Sequence, residues 1–206
     1  MISLLLALPA AVGLWLVTAG RDVSVAVARL VTAVAAVLTL GVAVVVSAAG
    51  SSVDRSWPPD LGVRWSFGVD GIAVPLVLLT AAIGVLVAAH AWVDLPAGGS
   101  PAAFLGCLLL VEAGALATFT ARDAVLFFVA FELVLVPMWV LISRYGDPHD
   151  AGARTEAGYR FVLYTAVGST LMLVGILTLV TSAGTSDLWA LADGAGRALT
   201  PDRQLL

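Results

Sequence analysis

The chain has 206 residues, of which 61% are hydrophobic and 12% charged, with a mean hydropathy of +1.05; water-soluble domains are about a quarter charged, so it reads as an all-α, polytopic membrane helix bundle. One cysteine and two histidines exclude a disulfide framework, a CxxC redox pair and cysteine-rich zinc or iron–sulfur sites. A net charge of −4 without any basic run speaks against nucleic acid as a partner. All ten basic residues are arginine, and neither lysine nor asparagine occurs, a usage expected of a bacterium with GC-rich DNA.

A helix crossing a hydrocarbon core of about 30 Å needs about 20 mainly apolar residues. Six such spans are predicted, at 2–19, 27–48, 72–93, 102–120, 123–143 and 159–182. The first begins at Met1 without a basic segment and runs through Thr18-Ala19-Gly20 towards the second, which reads as a retained helix and not a cleaved signal peptide. Residues 1–48 thus hold two spans, 49–71 an extramembrane loop, 72–182 four more spans, and 183–206 a polar tail. In the loop, the polar run Gly50 to Asp60 is followed by Leu61-Gly62-Val63-Arg64-Trp65-Ser66-Phe67. Its tryptophans suit the headgroup zone and its alternation suits a short interfacial hairpin. Leu95 to Pro101 is built of turn-forming residues. Only Thr120-Ala121-Arg122-Asp123 separates spans four and five, which must be antiparallel neighbours. In the tail, Asp187-Leu188-Trp189-Ala190-Leu191 is expected to form a short surface helix, and no seventh span follows.

With the N-terminus outside, the inner loops hold Arg21, Arg29, Arg144, Arg154 and Arg160, against Arg55, Arg64, Arg122, Arg197 and Arg203 outside. The counts balance, but the inner loops are shorter, so arginine density favours an external N-terminus in a bacterial inner (plasma) membrane.

Nearly all ionisable residues fall in loops or at helix ends; Glu112 and Glu132 do not. A carboxylate at bilayer depth costs about 3 kcal/mol on insertion scales, and such residues usually face a bundle interior or a wet cavity on a proton or ion path. Both glutamates lie about ten residues from the turn at Ala121-Arg122, and at about 1.5 Å per residue both reach the midplane on adjacent helices. Two carboxyls close together in apolar surroundings do not both ionise readily, so such a glutamate can exchange protons near neutral pH, and a cation moved towards and away from it makes a switch. Glu132 is accordingly the candidate proton carrier and Glu112 the candidate second carboxyl; the alternative for either is a permanently protonated interhelical hydrogen bond. Pro137 removes the amide that would bond the Leu133 carbonyl and reads equally as a hinge or a plain kink.

Among the remaining polar positions, Pro75 reads as structural, His90 as an interfacial residue, and Arg122 and Asp123 as a solvated pair in which Asp123 also caps span five. Arg144, Arg154 and Arg160 read as positive-inside anchors, Met138 and Phe127, Phe128 and Phe131 as packing residues, and Cys107 as a small buried hydrophobe. No phosphate-loop, dinucleotide, HExxH, GxSxG or CxxC motif occurs, and no cofactor or metal site is expected within the chain.

The run Leu126-Phe127-Phe128-Val129-Ala130-Phe131-Glu132-Leu133-Val134-Leu135-Val136-Pro137-Met138 resembles the fifth-helix motif FFxxFExxLxPM of chain M of proton-translocating NADH-quinone oxidoreductase, the bacterial relative of mitochondrial subunit 4. Val69-Asp70-Gly71-Ile72 resembles the family's entry into helix three, with Ala73 where serine is usual. Arg160 to Ser169 resembles the opening of helix six, with arginine where lysine is frequent, and Arg144-Tyr145-Gly146 stands where helix five ends.

The resemblance implies an antiporter-like subunit of the complex's membrane arm. The glutamate matching Glu132 would exchange protons with a lysine on a broken seventh helix, while NADH, flavin, iron–sulfur clusters and quinone chemistry belong to other subunits. The family chain has roughly fourteen helices, so the sequence is expected to be an N-terminal fragment, completed by the missing C-terminal helices of the same subunit, with the other membrane-arm subunits and the lipid bilayer as partners. Two alternatives stand beside it: a subunit of an Mrp-type sodium/proton antiporter, and a non-transporting membrane scaffold or remnant.

Overall fold

Helix α1 (Ile2–Ala19) is apolar round its whole circumference, the mark of a segment buried in lipid or protein on every side, and helix α2 (Val25–Ala49) is mainly apolar, with Arg29 in its first turns. Ser24 sets the start of α2 by accepting a hydrogen bond from the Val27 amide at 3.3 Å, and Gly50 ends it in the left-handed region at φ 58°, where a side chain would be strained. The computed structural model describes residues 1–56, 64–96, 99–147 and 149–193.

Strands β1 (Ser52–Ser56) and β2 (Arg64–Gly68) pair antiparallel, with Asp54 opposite Ser66 and Arg55 opposite Trp65. The short hairpin expected from the alternation is therefore present as a strand pair; residues 57–63, between the strands, lie outside the described residues. Helix α3 (Ala73–His90) starts where Asp70 Oδ1 accepts from the amides of Ile72 and Ala73, at 3.0 and 2.7 Å. Helix α4 (Pro101–Thr120) carries Pro101 in its first turn behind a Ser100 cap, where the missing amide costs nothing.

The fifth span is two helices, α5 (Ala124–Leu133) and α6 (Leu135–Tyr145), broken at Val134. The sixth is the single helix α7 (Ala151–Ala183). It begins at Ala151 and not at 159 because the Asp150 carboxylate caps it, accepting from the Ala153 amide at 2.8 Å; its polar first turns are helical without being buried. Helix α8 (Leu188–Asp193) is the short surface helix expected of the tail. Among the described residues six helical passes are long and apolar enough to cross a membrane, as the hydropathy predicts.

Two groups of long-range hydrogen bonds show that the passes alternate in direction. At one end, the hairpin side, the Arg122 amide donates to Ser66 O and the Ala124 amide to Ser186 O. At the other, the turn side, Ser100 Oγ donates to Gly20 O and Tyr145 Oη to Ser100 O, both at 2.9 Å.

Helix α4 is the centre of the bundle, packed against α1, α2, α3, α5 and α6. Its closest neighbour is α1, where Gly13 and Gly106 face each other: a Cβ on Gly13 would lie 2.8 Å from Gly106 O, and one on Gly106 2.7 Å from Gly13 O. Small residues allow such backbone contact where lipid supplies no hydrophobic drive. Gly13→Val should destabilise the bundle by about 2–3 kcal/mol through overpacking, read as a lower thermal midpoint in detergent. Gly41→Ala is the control, since nothing lies within 4 Å of a Cβ there.

Candidate functional site

The site begins with the break in the fifth span. After Leu133 the Val134 amide turns back to Phe131 O at 3.3 Å in a tight turn, and α6 restarts with the Met138 amide on Val134 O at 3.1 Å. Pro137 is the third residue of α6 and is buried, a first-turn position that has no amide partner to lose. The bend expected of Pro137 is thus realised as a full interruption just upstream of it. Gly114 of α4 receives the joint, for a Cβ there would lie 2.4 Å from Val134 Cγ2.

Glu132 stands two residues before the break, in the last turn of α5. It is half-buried, and its Oε1 is fully enclosed with no hydrogen-bond partner in this structure. The three ion pairs among the described residues, Arg64–Asp54, Arg64–Asp187 and Arg160–Glu156, lie in the extramembrane hairpin, in the tail and near the start of α7. None reaches this carboxyl.

Glu112 is placed differently from the sequence expectation. It is buried near the middle of α4, and its carboxylate packs on Gly84 of α3, where a Cβ would lie 2.5 Å from Oε1. Gly114 faces α5 two residues later, about 200° further round a helix of 3.6 residues per turn, so Glu112 points to the opposite side of α4. The two glutamates therefore do not share a site. A pocket of about 180 Å³ lies beside Glu112, walled by α2, α3 and α4, with Thr32 and Thr80 contributing hydroxyls.

Arg122 and Asp123 do not form the solvated pair that was expected. Asp123 is fully buried because hairpin and tail fold over it. Its Oδ1 caps α5, accepting from the amides of Val125 and Leu126 at 2.9 and 3.0 Å. Its Oδ2 accepts from the Arg64 amide at 3.3 Å and from Ser186 Oγ. The Arg122 guanidinium lies over the Trp189 ring, 5.0 Å from its centroid. The capping role was legible from the sequence, whereas the burial depends on two distant segments.

The other positions are more ordinary. His90 and Arg144 are exposed at the ends of α3 and α6, Arg160 pairs with Glu156 at 2.5 Å, and Cys107 is buried. Phe131 is 37% exposed, so it lies open on the outer face of α5. No group of three metal-ligating side chains converges among the described residues.

A six-span helical bundle with one broken helix and a lone glutamate at the break is a membrane domain of the antiporter-like type. Residues 121–203 match the family model described as NADH:quinone oxidoreductase/Mrp antiporter, TM. Chain 4 of the NAD(P)H-quinone oxidoreductase of Synechococcus elongatus is 42% identical over 127 residues, which is 62% of this chain and 22% of the relative. The chain of Prochlorococcus marinus strain MIT 9312 is 38% identical over 124 residues. The sequence therefore spans less than a quarter of these relatives' length.

Among solved structures, a chain of respiratory complex I of Thermus thermophilus with bound NADH superposes with a TM-score of 0.77 at 29% identity, over 94% of this chain and 39% of that one. The Mrp complex of Dietzia sp. gives a TM-score of 0.82 at 24% identity, over 98% and 22%, a likeness of fold.

Proposed function

We propose that the chain is part of an antiporter-like membrane-arm subunit of a proton-translocating NADH:quinone oxidoreductase, in which Glu132 carries protons during electron transfer to quinone. The observation that carries this reading is Oε1 of the half-buried Glu132, enclosed and without a partner beside a broken helix. A buried polar atom left unpaired costs about 1–3 kcal/mol, and intramembrane carboxyls that persist at such a cost mark proton or ion paths. The cation that completes the switch is to come from further helices of the subunit or a neighbouring chain, since this sequence holds no lysine. NADH, flavin, iron–sulfur clusters and quinone are assigned to other subunits of the complex.

The membrane is the bacterial plasma membrane, with the N-terminus and the hairpin side external. Cysteine substitutions at Ser52 and Ser100, which lie at opposite ends of the bundle, should be labelled by an impermeant maleimide from outside and inside respectively; the reverse pattern would invert this orientation.

Proton translocation measured in vesicles with Glu132 variants tests the main reading, with expected outcomes given in the Discussion. Just after the break, Pro137→Ala frees the backbone torsion that proline fixes in the first turn of α6. As a hinge residue Pro137 predicts a several-fold fall in pumping with unchanged assembly, whereas a plain kink predicts pumping at the wild-type rate.

The Mrp-type antiporter is the second reading, kept because the matching family model is described for both kinds of protein. It predicts sodium/proton exchange without any NADH-driven pumping.

A further inference from the structure

The Arg122 side chain is a cation without an anion. Its backbone is fixed on both sides, for its amide donates to Ser66 O of β2 and its carbonyl accepts from the Leu188 amide of α8, both at 2.9 Å. Its guanidinium packs on Gly68, where a Cβ would overlap it, and lies over the Trp189 ring. Yet no carboxylate among the described residues pairs with it. Asp123, next in the chain, is engaged by four other donors, and Asp54 and Asp187 pair with Arg64. Of the guanidinium nitrogens only Nε is both enclosed and unpaired, so the terminal amino groups remain for a ligand.

A pocket of about 260 Å³ opens beside that guanidinium, with Asp70, Phe119, Arg122, Leu188 and Trp189 in its wall. A liquid water takes about 30 Å³, so the space is larger than one ion or one water needs. Its two charged groups have opposite signs. Asp70 is exposed, and its Oδ1 accepts from the amides of Ile72 and Ala73, which leaves Oδ2 for another donor. Arg122 and Asp70 do not pair with each other. A ligand that satisfies both carries an anion and a cation a short distance apart.

The place of the pocket in the bundle narrows the choice. Phe119 belongs to the last turn of the membrane pass α4 and is 38% exposed, while Leu188 and Trp189 are 36% and 48% exposed. Aromatic residues at the end of a pass sit at headgroup level. There a phospholipid presents its phosphate, and in phosphatidylethanolamine an ammonium as well, with acyl chains beside the apolar surface. Guanidinium and phosphate form strong charge-assisted hydrogen bonds. The ammonium keeps N–H groups for Asp70 that a trimethylated one lacks.

We propose that this pocket binds the headgroup of phosphatidylethanolamine in the leaflet on the hairpin side, with the phosphate on Arg122 and the ammonium on Asp70. The site is independent of the role assigned to Glu132.

Photocrosslinking tests it in the native complex that holds the full-length subunit, depleted of lipid in detergent and given phosphatidylethanolamine with a diazirine near the glycerol end of an acyl chain. Mass spectrometry should place the label on Phe119, Leu188 or Trp189, and unlabelled phosphatidylethanolamine should compete it away. The phosphatidylcholine analogue should label several-fold less. Arg122→Gln should lower the adduct about ten-fold, as the loss of a charged hydrogen bond implies. Asp70→Asn, which keeps the α3 cap, should bring phosphatidylethanolamine down to the level of phosphatidylcholine. Subunit content of the complex reports whether the variants assemble; should Arg122→Gln fail to, Asp70→Asn alone decides. No label at these residues in the unaltered protein, or label that neither variant changes, would overturn the proposal. So would displacement by millimolar inorganic phosphate as complete as by the lipid, because the pocket would then take free anions.

Discussion

Asp123→Ala should destabilise the protein more than any other single change to its extramembrane surface, by about 3–5 kcal/mol, the sum of a lost helix cap and of further bonds to a buried carboxyl. Four donors converge on that side chain: the amides of Val125 and Leu126, the amide of Arg64, and the hydroxyl of Ser186. Truncation strands them in a place that water does not enter, since Asp123 is wholly buried. Asp123→Asn should recover part of the loss, because asparagine caps helices almost as well as aspartate but turns one acceptor into a donor facing other donors. The measurement is the thermal unfolding midpoint in detergent, with the exposed Asp22→Ala as control. An Asp123→Ala midpoint equal to that of the control would remove the clasp described here. The neighbouring Arg64–Asp54 pair is about half exposed on both partners, and exposed ion pairs contribute about 0–1 kcal/mol; Asp54→Ala should therefore melt close to the unaltered protein.

At Glu132 the expected effect falls on function and not on stability. Glu132→Ala in the assembled complex should abolish quinone-coupled proton translocation, Glu132→Gln should do nearly the same, and Glu132→Asp should retain a fraction. Glutamine matches the shape and the hydrogen bonding of a protonated glutamate but cannot release a proton. Its failure would therefore separate proton carriage from packing. Because Oε1 has no partner to lose, the variants should assemble to normal levels, which subunit content of the purified complex would establish. Reconstituted vesicles then give quinone reduction and proton uptake side by side. Full pumping by Glu132→Ala would end the proposed role, and normal pumping by the glutamine variants at both Glu132 and Glu112 would leave a scaffold as the better description.

The sequence makes some of this legible and hides the rest for physical reasons. The spans are visible because crossing a bilayer demands a run of apolar residues, and the hairpin because alternation at a surface has a period of two. The same window reports membrane crossing and not helicity, which is why α7 begins at Ala151, on Asp150's cap, upstream of the apolar run. The depth of Glu112 could be counted along the chain, but its azimuth could not. Helix α4 is apolar on every side, so no stripe indicates which face meets α5, and only Gly84 and Gly114 fix the rotation. A bend near Glu132 was announced by Pro137, whose effect is local, although the full break at Val134 goes beyond it. The burial of Asp123 was not announced, because it requires residues near 64 and 186, neither of which is near it in sequence.

That last arrangement has a consequence for how the protein is made. Span five starts at Asp123, yet the carboxylate that caps it is closed off by Ser186, a residue that emerges only after the whole of α7. During synthesis, then, the hairpin between α2 and α3 and the turn between α4 and α5 wait on the membrane surface for a tail on the same side. The first four passes can pack through Gly13 and Gly106 while the ribosome is still working, but the extramembrane clasp closes last. An insertion error that reversed a single later pass would leave Ser186 on the wrong side of the bilayer and Asp123 uncovered, so the closed clasp acts as a record that every pass has gone in the right way round.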